Sequence, residues 1–455
     1  MRLADSISLI RETYLADARP WVLGYSGGKD STCTLQLVWK ALSNLPAAQR
    51  TKPIYVLSSD TLVESPLIVS YINNAVRSIN AVAEGSGLPI TASIVQPAVE
   101  DSFWVNLIGK GYPAPYSKFR WCTDRLKISP ANRFIKDQVA KFGEVVLILG
   151  VRKAESATRA QVMATHEIAG SALRTHSTLN GALVFAPIED WSTDDVWAYL
   201  LQNSKTPWGS DNNDLAAMYR TADGECPLVV DTSTPSCGNS RFGCWVCTVV
   251  TRDKSMEAMI DAGESWMEDL LEIRDFLAAT QEPERKKEVR SIRKTDGRIL
   301  LKDSGDAAAL GPYKLSFCKE VLSRLLKAQQ RLPAEAENFE LISHAEMLAI
   351  RRIWRDQRND WEDSVPGLYE SVTGKKWFSI ADGVSSVVDE AKLIADVCER
   401  HNIPSLLFRR LLDEERRAGG LKRRVGIYTK LSGILDEDWR SDTEVTSDIE
   451  ALKVV

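Results

Sequence analysis

"GYSGGKDS", residues 24–31, follows the apolar run "WVL" (21–23) and precedes "TCTLQLVWKAL" (32–42), whose apolar residues recur at helical spacing. A strand that passes through two adjacent glycines into a helix presents several main-chain N–H groups at the helix start. The helix dipole favours negative charge there. Gly27 and Gly28 allow backbone conformations and close approach that a Cβ would block. Lys29 adds a full positive charge, and the hydroxyls of Ser26 and Ser31 add donors. The turn therefore predicts a site for phosphate or pyrophosphate. It is not a Walker A loop, which needs four residues between its glycines and Ser or Thr after the lysine. Here three residues separate Gly24 from Gly28, and Asp30 comes after Lys29.

Outward from this turn, short apolar or β-branched runs alternate with helical stretches over the first two hundred residues. The runs are "WVLGYS" (21–26), "PIYVLSSD" (53–60), "ITASIVQP" (90–97), "VVLILGVR" (145–152) and "ALVFAPIEDW" (182–191). Such alternation predicts an α/β fold, a Rossmann-like parallel sheet covered by helices, with ligands beyond the carboxyl ends of the strands. Between 205 and 255 the pattern breaks into turn formers and four of the chain's eight cysteines. That stretch is too irregular to support itself by apolar packing, so a bound metal centre is a natural staple. Beyond 255 the chain reads as mainly helical and charged. The expected organisation is an N-terminal nucleotide domain (1–204), a cysteine-rich insert (205–255) and a helical accessory region (256–455).

The 455 residues suffice for two or three domains, and 44% hydrophobic with 26% charged residues is ordinary for a soluble globular chain. A net charge of -5 gives no global nucleic-acid signature, although local basic stretches decide such binding. No apolar run approaches the length of a membrane span, and the N-terminal "MRLADSISLIRETYLADARPW" has acidic residues where a signal peptide needs an apolar core. A cytoplasmic location is expected, without membrane partners. In that compartment cysteines serve as free thiols, metal ligands or catalysts more often than as disulfides.

Cys244 and Cys247 have the spacing that lets two thiolates share one metal, and Cys237 and Cys226 lie just upstream. No histidine stands nearby, so four thiolates are the economical set. Spacing alone admits zinc or an iron–sulfur cluster. Cys33, Cys318 and Cys398 fall on helix-like stretches and read as buried, inert thiols.

"SGGKDS" resembles the pyrophosphate loop of the ATP-pyrophosphatase (PP-loop) superfamily, which includes phosphoadenylylsulfate reductases, amidotransferases and tRNA thiolases. "SSDTLVESP" (58–66) resembles the reductases' second motif, "LGVRKAESATRA" (149–160) their arginine-bearing third motif, and "APIEDWSTDDVWAYL" (186–200) the segment after it, with Ser192 or Thr193 as helix cap. The resemblance implies an adenine nucleotide alpha-hydrolase type of fold. Within it, "CPLVVDTSTPSCGNSRFGCWVCTVVTRDKSM" and "KFRWCTDRLK" are similar to the DNA phosphorothioation sulfurtransferases (DndC type). This implies a [4Fe–4S] cluster on Cys122, Cys237, Cys244 and Cys247, with Cys226 in reserve. Sulfate-reducing members carry a tandem cysteine pair where this chain has Trp121-Cys122, which argues against sulfate reduction here.

The function so implied is ATP-dependent sulfur transfer to a DNA phosphodiester. Ser26, Gly27, Gly28, Lys29, Asp30 and Ser31 would hold the ATP phosphates, with Lys29, Asp30 and Arg152 acting in catalysis. Asp30 and Asp60 are candidates for Mg2+ or water positioning, and Asp30 also reads as a helix cap. The implied partners are DNA, a cysteine desulfurase as sulfur donor, and other DNA-modification subunits. Candidate phosphate contacts are the basic stretches 284–298 and 416–426, and Lys118, Arg120, Arg125 and Lys127 around Cys122. A mixed charge run is as readily a solvated helix face. A reductase of phosphoadenylylsulfate, a tRNA thiolase and a non-catalytic nucleotide-sensing scaffold are the competing readings.

Overall fold

Six segments of the N-terminal half form strands: β1 (Trp21–Gly24), β2 (Ile54–Ser59), β3 (Ile90–Val95), β4 (Val145–Ile148), β5 (Leu173–Thr175) and β6 (Ala182–Phe185). They make one sheet of order β3-β2-β1-β4-β6-β5. All pairs are parallel except β5 with β6. This Rossmann-like arrangement is the fold the alternation predicts, with β5 as a short antiparallel edge strand that the apolar pattern does not announce. The computed structural model describes residues 2–155, 161, 163–222, 243–293, 299, 309–333, 339–377, 387–401, 403–419, 426–437, 439, 440, 444, 445 and 447.

Helices α1 (Arg2–Leu15), α2 (Lys29–Ser43), α3 (Pro66–Gly85), α4 (Ser129–Phe142), α5 (Thr193–Gln202) and α6 (Asn212–Ala222) cover the sheet. Because successive side chains of a strand face opposite ways, each strand feeds two cores. Trp21, Leu23, Val146 and Ile148 join the core with α1, α2, α3 and α5, while Val22, Leu57, Val145 and Leu147 pack on Ala131 and Ile135 of α4. β4 is buried at all four positions, which explains its unbroken apolar sequence. The strand order reverses at β1 and β4, so the turn from β1 into α2 opens at the topological switch point. α7 (Lys254–Asp261) and α8 (Glu268–Ala279) come after the cysteine pair.

The chain divides into two compact units, Met1–Phe103 with Pro115–Arg274 and Trp104–Ala114 with Asp275–Val455. The second unit is helical: α9 (Pro283–Val289), α10 (Leu315–Gln330), α11 (His344–Gln357), α12 (Ser364–Thr373), α13 (Val387–Arg400), α14 (Ser405–Gly419) and α15 (Ile427–Leu435). α10 buries Phe317, Val321, Leu322 and Leu325, one apolar stripe at helical spacing. A capping box between Ser343 and Glu346 starts α11. The segment Trp104–Ala114 is tied into this unit by Trp104 Nε1 donating to the Leu341 carbonyl (2.7 Å) and by Trp354 Nε1 donating to the Ile108 carbonyl (2.9 Å). Among the described residues, no helix is long and apolar enough to cross a membrane.

Ile148 has no exposed surface and ends the central strand that positions the switch point. Ile148→Ala removes buried methyl groups and leaves a cavity, so its urea midpoint should fall by the equivalent of about 2–5 kcal/mol.

Candidate nucleotide and thiol site

The pairing of β1 with β2 runs one residue past the strand, where the Tyr25 N–H donates to the Leu57 carbonyl (2.8 Å). The chain then turns at Gly27, whose φ of +72° favours glycine. A Cβ at Gly27 would also lie 2.4 Å from Ile72 Cδ1. Gly28 is the extended N-cap of α2. Ser31 Oγ donates to the Gly28 carbonyl at 3.0 Å and lies 3.2 Å from Ser26 Oγ, which fixes the turn from within. Gly28 N–H and Lys29 N–H stand at the helix start, as the sequence predicts.

Lys29 is 1% exposed, and a buried ammonium needs a partner. Its Nζ lies 3.1 Å from Asp30 Oδ2. The other oxygen, Asp30 Oδ1, lies 2.6 Å from Nε of Arg152, which is itself 1% exposed. Arg152 further donates through Nη1 to Thr193 Oγ1 (3.1 Å). The structure thus brings Lys29, Asp30 and Arg152 together into one buried unit. Asp30 is its anchor, with both oxygens on cations. Gly150 makes the arrangement possible, because a Cβ there would stand 2.8 Å from the Asp30 main-chain carbonyl. The cap of α5 is Ser192, which forms a capping box with Asp195, so the neighbouring Thr193 hydroxyl is left to orient Arg152.

The turn opens onto a cleft. It is lined by Gly27 and Gly28 of the turn, by Asp60 and Glu64, and by Leu215 and Tyr219 of α6. Asp60 directly follows β2, with Oδ1 accepting from Leu62 N–H (2.9 Å) and Oδ2 from Gln96 Nε2 (2.9 Å). Leu62 takes a φ of +65°, a strained conformation for a residue with a side chain, right beside the cleft.

That strained loop carries the link to the cysteines. Glu64 pairs with Cys244 in an antiparallel bridge, and Trp245 N–H donates to the Val63 carbonyl (2.9 Å). Glu64 Oε1 accepts from Thr61 Oγ1 (3.0 Å) and from the Cys244 thiol (3.7 Å), and lies 3.4 Å from Lys127 Nζ. Glu64 and Lys127 both line the cleft, so the thiol at 244 sits directly behind its wall. The position of Glu64 just before α3 suggests no more than a first-turn acid, and only the fold reveals the contact.

Cys122 precedes a wide π-type turn, Thr123–Ile128, which aims Lys127 at Glu64 before α4 begins. Burial pushes the Cys122 thiol up to about 11, reinforced by the nearby Cys247 and opposed by Lys127 and Arg120. The Cys244 thiol is raised well above its ordinary value, by burial first and then by Glu64 and Cys122, against Lys127 and Thr61. Cys122, Cys244 and Cys247 therefore lie within electrostatic reach of one another. Cys247 N–H donates to the Cys244 carbonyl (3.0 Å) in the tight turn that the two-residue spacing predicts. Arg274, 2% exposed, clamps the end of this turn by donating to the carbonyls of Cys247, Val250 and Thr251.

The raised thiols of Cys122 and Cys244, with Cys247 near Cys122, are soft donors of the kind a cationic thiophilic centre binds with displacement of their protons. Among the described residues, no group of three or more His, Cys, Asp and Glu side chains stands ready to hold a metal ion. Cys226, Cys237 and Arg159 lie outside the described residues. Cys33, Cys318 and Cys398 are buried, as their helical positions imply. Around Cys122, Lys118 is exposed, and Arg125 pairs with Asp101 (2.5 Å). In the basic stretch 284–298, Arg285 pairs with Glu288 and Lys287 with Glu284, the pattern of a solvated helix face.

A doubly wound sheet with a glycine turn and buried cations at its switch point defines a Rossmann-like α/β protein. Residues 20–249, just over half of the chain, match the phosphoadenosine phosphosulfate reductase domain, and the chain belongs to that family. An uncharacterized protein of Methanocaldococcus jannaschii is 28% identical over 204 residues, which are 45% of this chain and 36% of that protein. The match thus spans little more than a third of that relative's length. Among solved structures, the phosphoadenylyl-sulfate reductase of Candida auris in its phosphate complex aligns at 16% identity and a TM-score of 0.31, covering 47% of this chain and 84% of that one. The U34-tRNA thiolase of Methanococcus maripaludis with its [4Fe–4S] cluster aligns at 12% identity and a TM-score of 0.29, covering 63% and 80% respectively.

Two measurements check this geometry. Gly150→Ala should displace α2 from β4 through main-chain atoms that cannot yield, weakening nucleotide binding at least tenfold by calorimetry with the protein still folded by circular dichroism. In metal-free protein, a Cys122 thiol raised to about 11 is ionised in only about one molecule per thousand at pH 8. Its alkylation by iodoacetamide, read by peptide mass spectrometry, should stay slow at pH 8 and climb steeply above about pH 10. Fast labelling at pH 8 would contradict the burial.

Proposed function

We propose that this chain is an ATP-dependent sulfurtransferase of DNA backbone phosphorothioation. The observation that carries the reading is the shared wall at Glu64, with the phosphate-binding turn on one side and the Cys244 thiol on the other. A phosphodiester oxygen is a poor leaving group, and adenylation activates it. In this scheme a non-bridging oxygen attacks the α-phosphorus of ATP and pyrophosphate departs. A sulfur nucleophile then attacks the activated phosphodiester, and AMP leaves with the oxygen.

The chain's own residues serve this scheme in definite ways. The amides of Gly28 and Lys29 and the hydroxyl of Ser26 grip the β- and γ-phosphates, while Ser31 holds the turn by donating to the Gly28 carbonyl. Lys29, held by Asp30, and Arg152, held by Asp30 and Thr193, place fixed positive charge where pyrophosphate charge develops. Mg2+ falls to Asp60, since Asp30 already serves two cations. Cys122, Cys244 and Cys247 would join Cys237 in holding a [4Fe–4S] centre, which when bound supplies an iron site for sulfur or electrons behind the cleft wall. A cysteine desulfurase supplies the sulfur, and partner subunits choose the DNA site.

The family match favours a second reading, reduction of phosphoadenylylsulfate, which would release sulfite. One assay separates them. Anaerobically reconstituted protein with ATP, DNA, a cysteine desulfurase and cysteine should yield AMP and pyrophosphate, and Lys29→Ala should lower that rate by about 10²–10³. Sulfite from phosphoadenylylsulfate, with no AMP from ATP, would replace the proposal by the reductase. Iron and acid-labile sulfide analysis of the same preparation, and their loss in Cys244→Ser, tests the centre independently of turnover.

A further inference from the structure

The main-chain N–H of Lys29 is one of the orphan donors of α2, directed where an anion would bind. In this structure it donates to Tyr219 Oη at 3.2 Å. The same hydroxyl stands 2.9 Å from the place a Cβ on Gly28 would take. Glycine at 28 therefore makes room for a tyrosine as well as for a phosphate. The Tyr219 ring centroid lies 5.7 Å from Lys29 Nζ. Tyr219 reaches this position from α6, and its ring packs edge-on against Trp197 of α5, with centroids 5.2 Å apart. A neutral hydroxyl and an aromatic face thus occupy the amide and the ammonium that together would grip a diphosphate.

We propose that Tyr219 is a residue of the phosphate site that competes with the ligand, its hydroxyl standing in for a phosphate oxygen on the Lys29 amide. The inference rests on reading the glycine turn as a phosphate site. A phosphate oxygen is charged and accepts the stronger hydrogen bond, so it displaces the phenol. Entry still costs the net worth of the bond given up, which lowers the affinity for phosphates by about two- to tenfold. The tyrosine gives the helix-start amide an acceptor while the site is empty, and it makes the site selective for ligands that bring a full anionic charge.

Calorimetric titration of the full chain and of Tyr219→Phe with pyrophosphate, ATP and adenosine tests this. Phenylalanine keeps the ring beside Lys29 and Trp197 and removes only the hydroxyl. Pyrophosphate and ATP should bind the variant about two- to tenfold tighter, while adenosine binds both proteins alike. Unchanged affinity for pyrophosphate overturns the inference. So does weaker binding, which would make the hydroxyl a direct phosphate ligand, and so does an equal gain for adenosine, which would point to a repacked cleft. Wild-type protein that binds neither pyrophosphate nor ATP would overturn the phosphate-site reading itself, and this inference with it.

Discussion

The Asp30 carboxylate, shared between the Lys29 ammonium and the Arg152 guanidinium, is the contact on which the site depends. Both cations are almost wholly withdrawn from water, where an unpaired charge costs several kcal/mol. One carboxylate between them lowers that cost. The group lies beneath a turn whose amides favour an anion. Residues 30 and 152 are 122 apart in sequence, and they meet because β4 lies beside β1 at the point where the strand order reverses. Fold and charge constrain each other here: the sheet brings the pair together, and the missing Cβ at Gly150 lets the backbones approach.

Much of this is legible in the sequence because it is local. The glycine turn, the apolar strands and the cap of α5 each occupy a few consecutive residues with a direct physical reading. Five of the six strands announce themselves by apolar content. β5 does not, since three residues at a sheet edge carry too little pattern. The grouping of Thr61, Glu64, Lys127 and Cys244 is illegible for a different reason. Its members come from three separate stretches, with Glu64 and Cys244 180 apart, and no local signal marks an acid that will meet a distant thiol. Tyr219 escapes a sequence reading on the same ground: on its own helix it is an aromatic residue with nothing local to mark it.

Electrostatics ties the two halves of the site together. The burial that makes the thiols hold their protons also surrounds Glu64, which is 9% exposed. Glu64 tolerates that position through Lys127 and Thr61. The same lysine offsets negative charge at both Cys122 and Cys244. Lys127 is therefore the common counter-charge of the cleft wall and of the thiols behind it. Any change in thiol charge alters what Lys127 can offer to a ligand in the cleft.

The anion grip alone does not decide the sulfur chemistry, because a fold can carry many reactions and the site selects among them. What particularises this chain is the sign of the charges around the grip. The turn and its buried cations suit a diphosphate, whereas the rest of the lining carries Asp60 and Glu64, the latter offset by Lys127. On the proposed reading, an acceptor phosphodiester would approach from the side where Arg120 and Lys127 stand near Cys122 and meet the α-phosphate from there. On that reading the cleft would hold the activating nucleotide and the cysteine face the strand to be modified, so that the two substrates would meet only at the atoms that react.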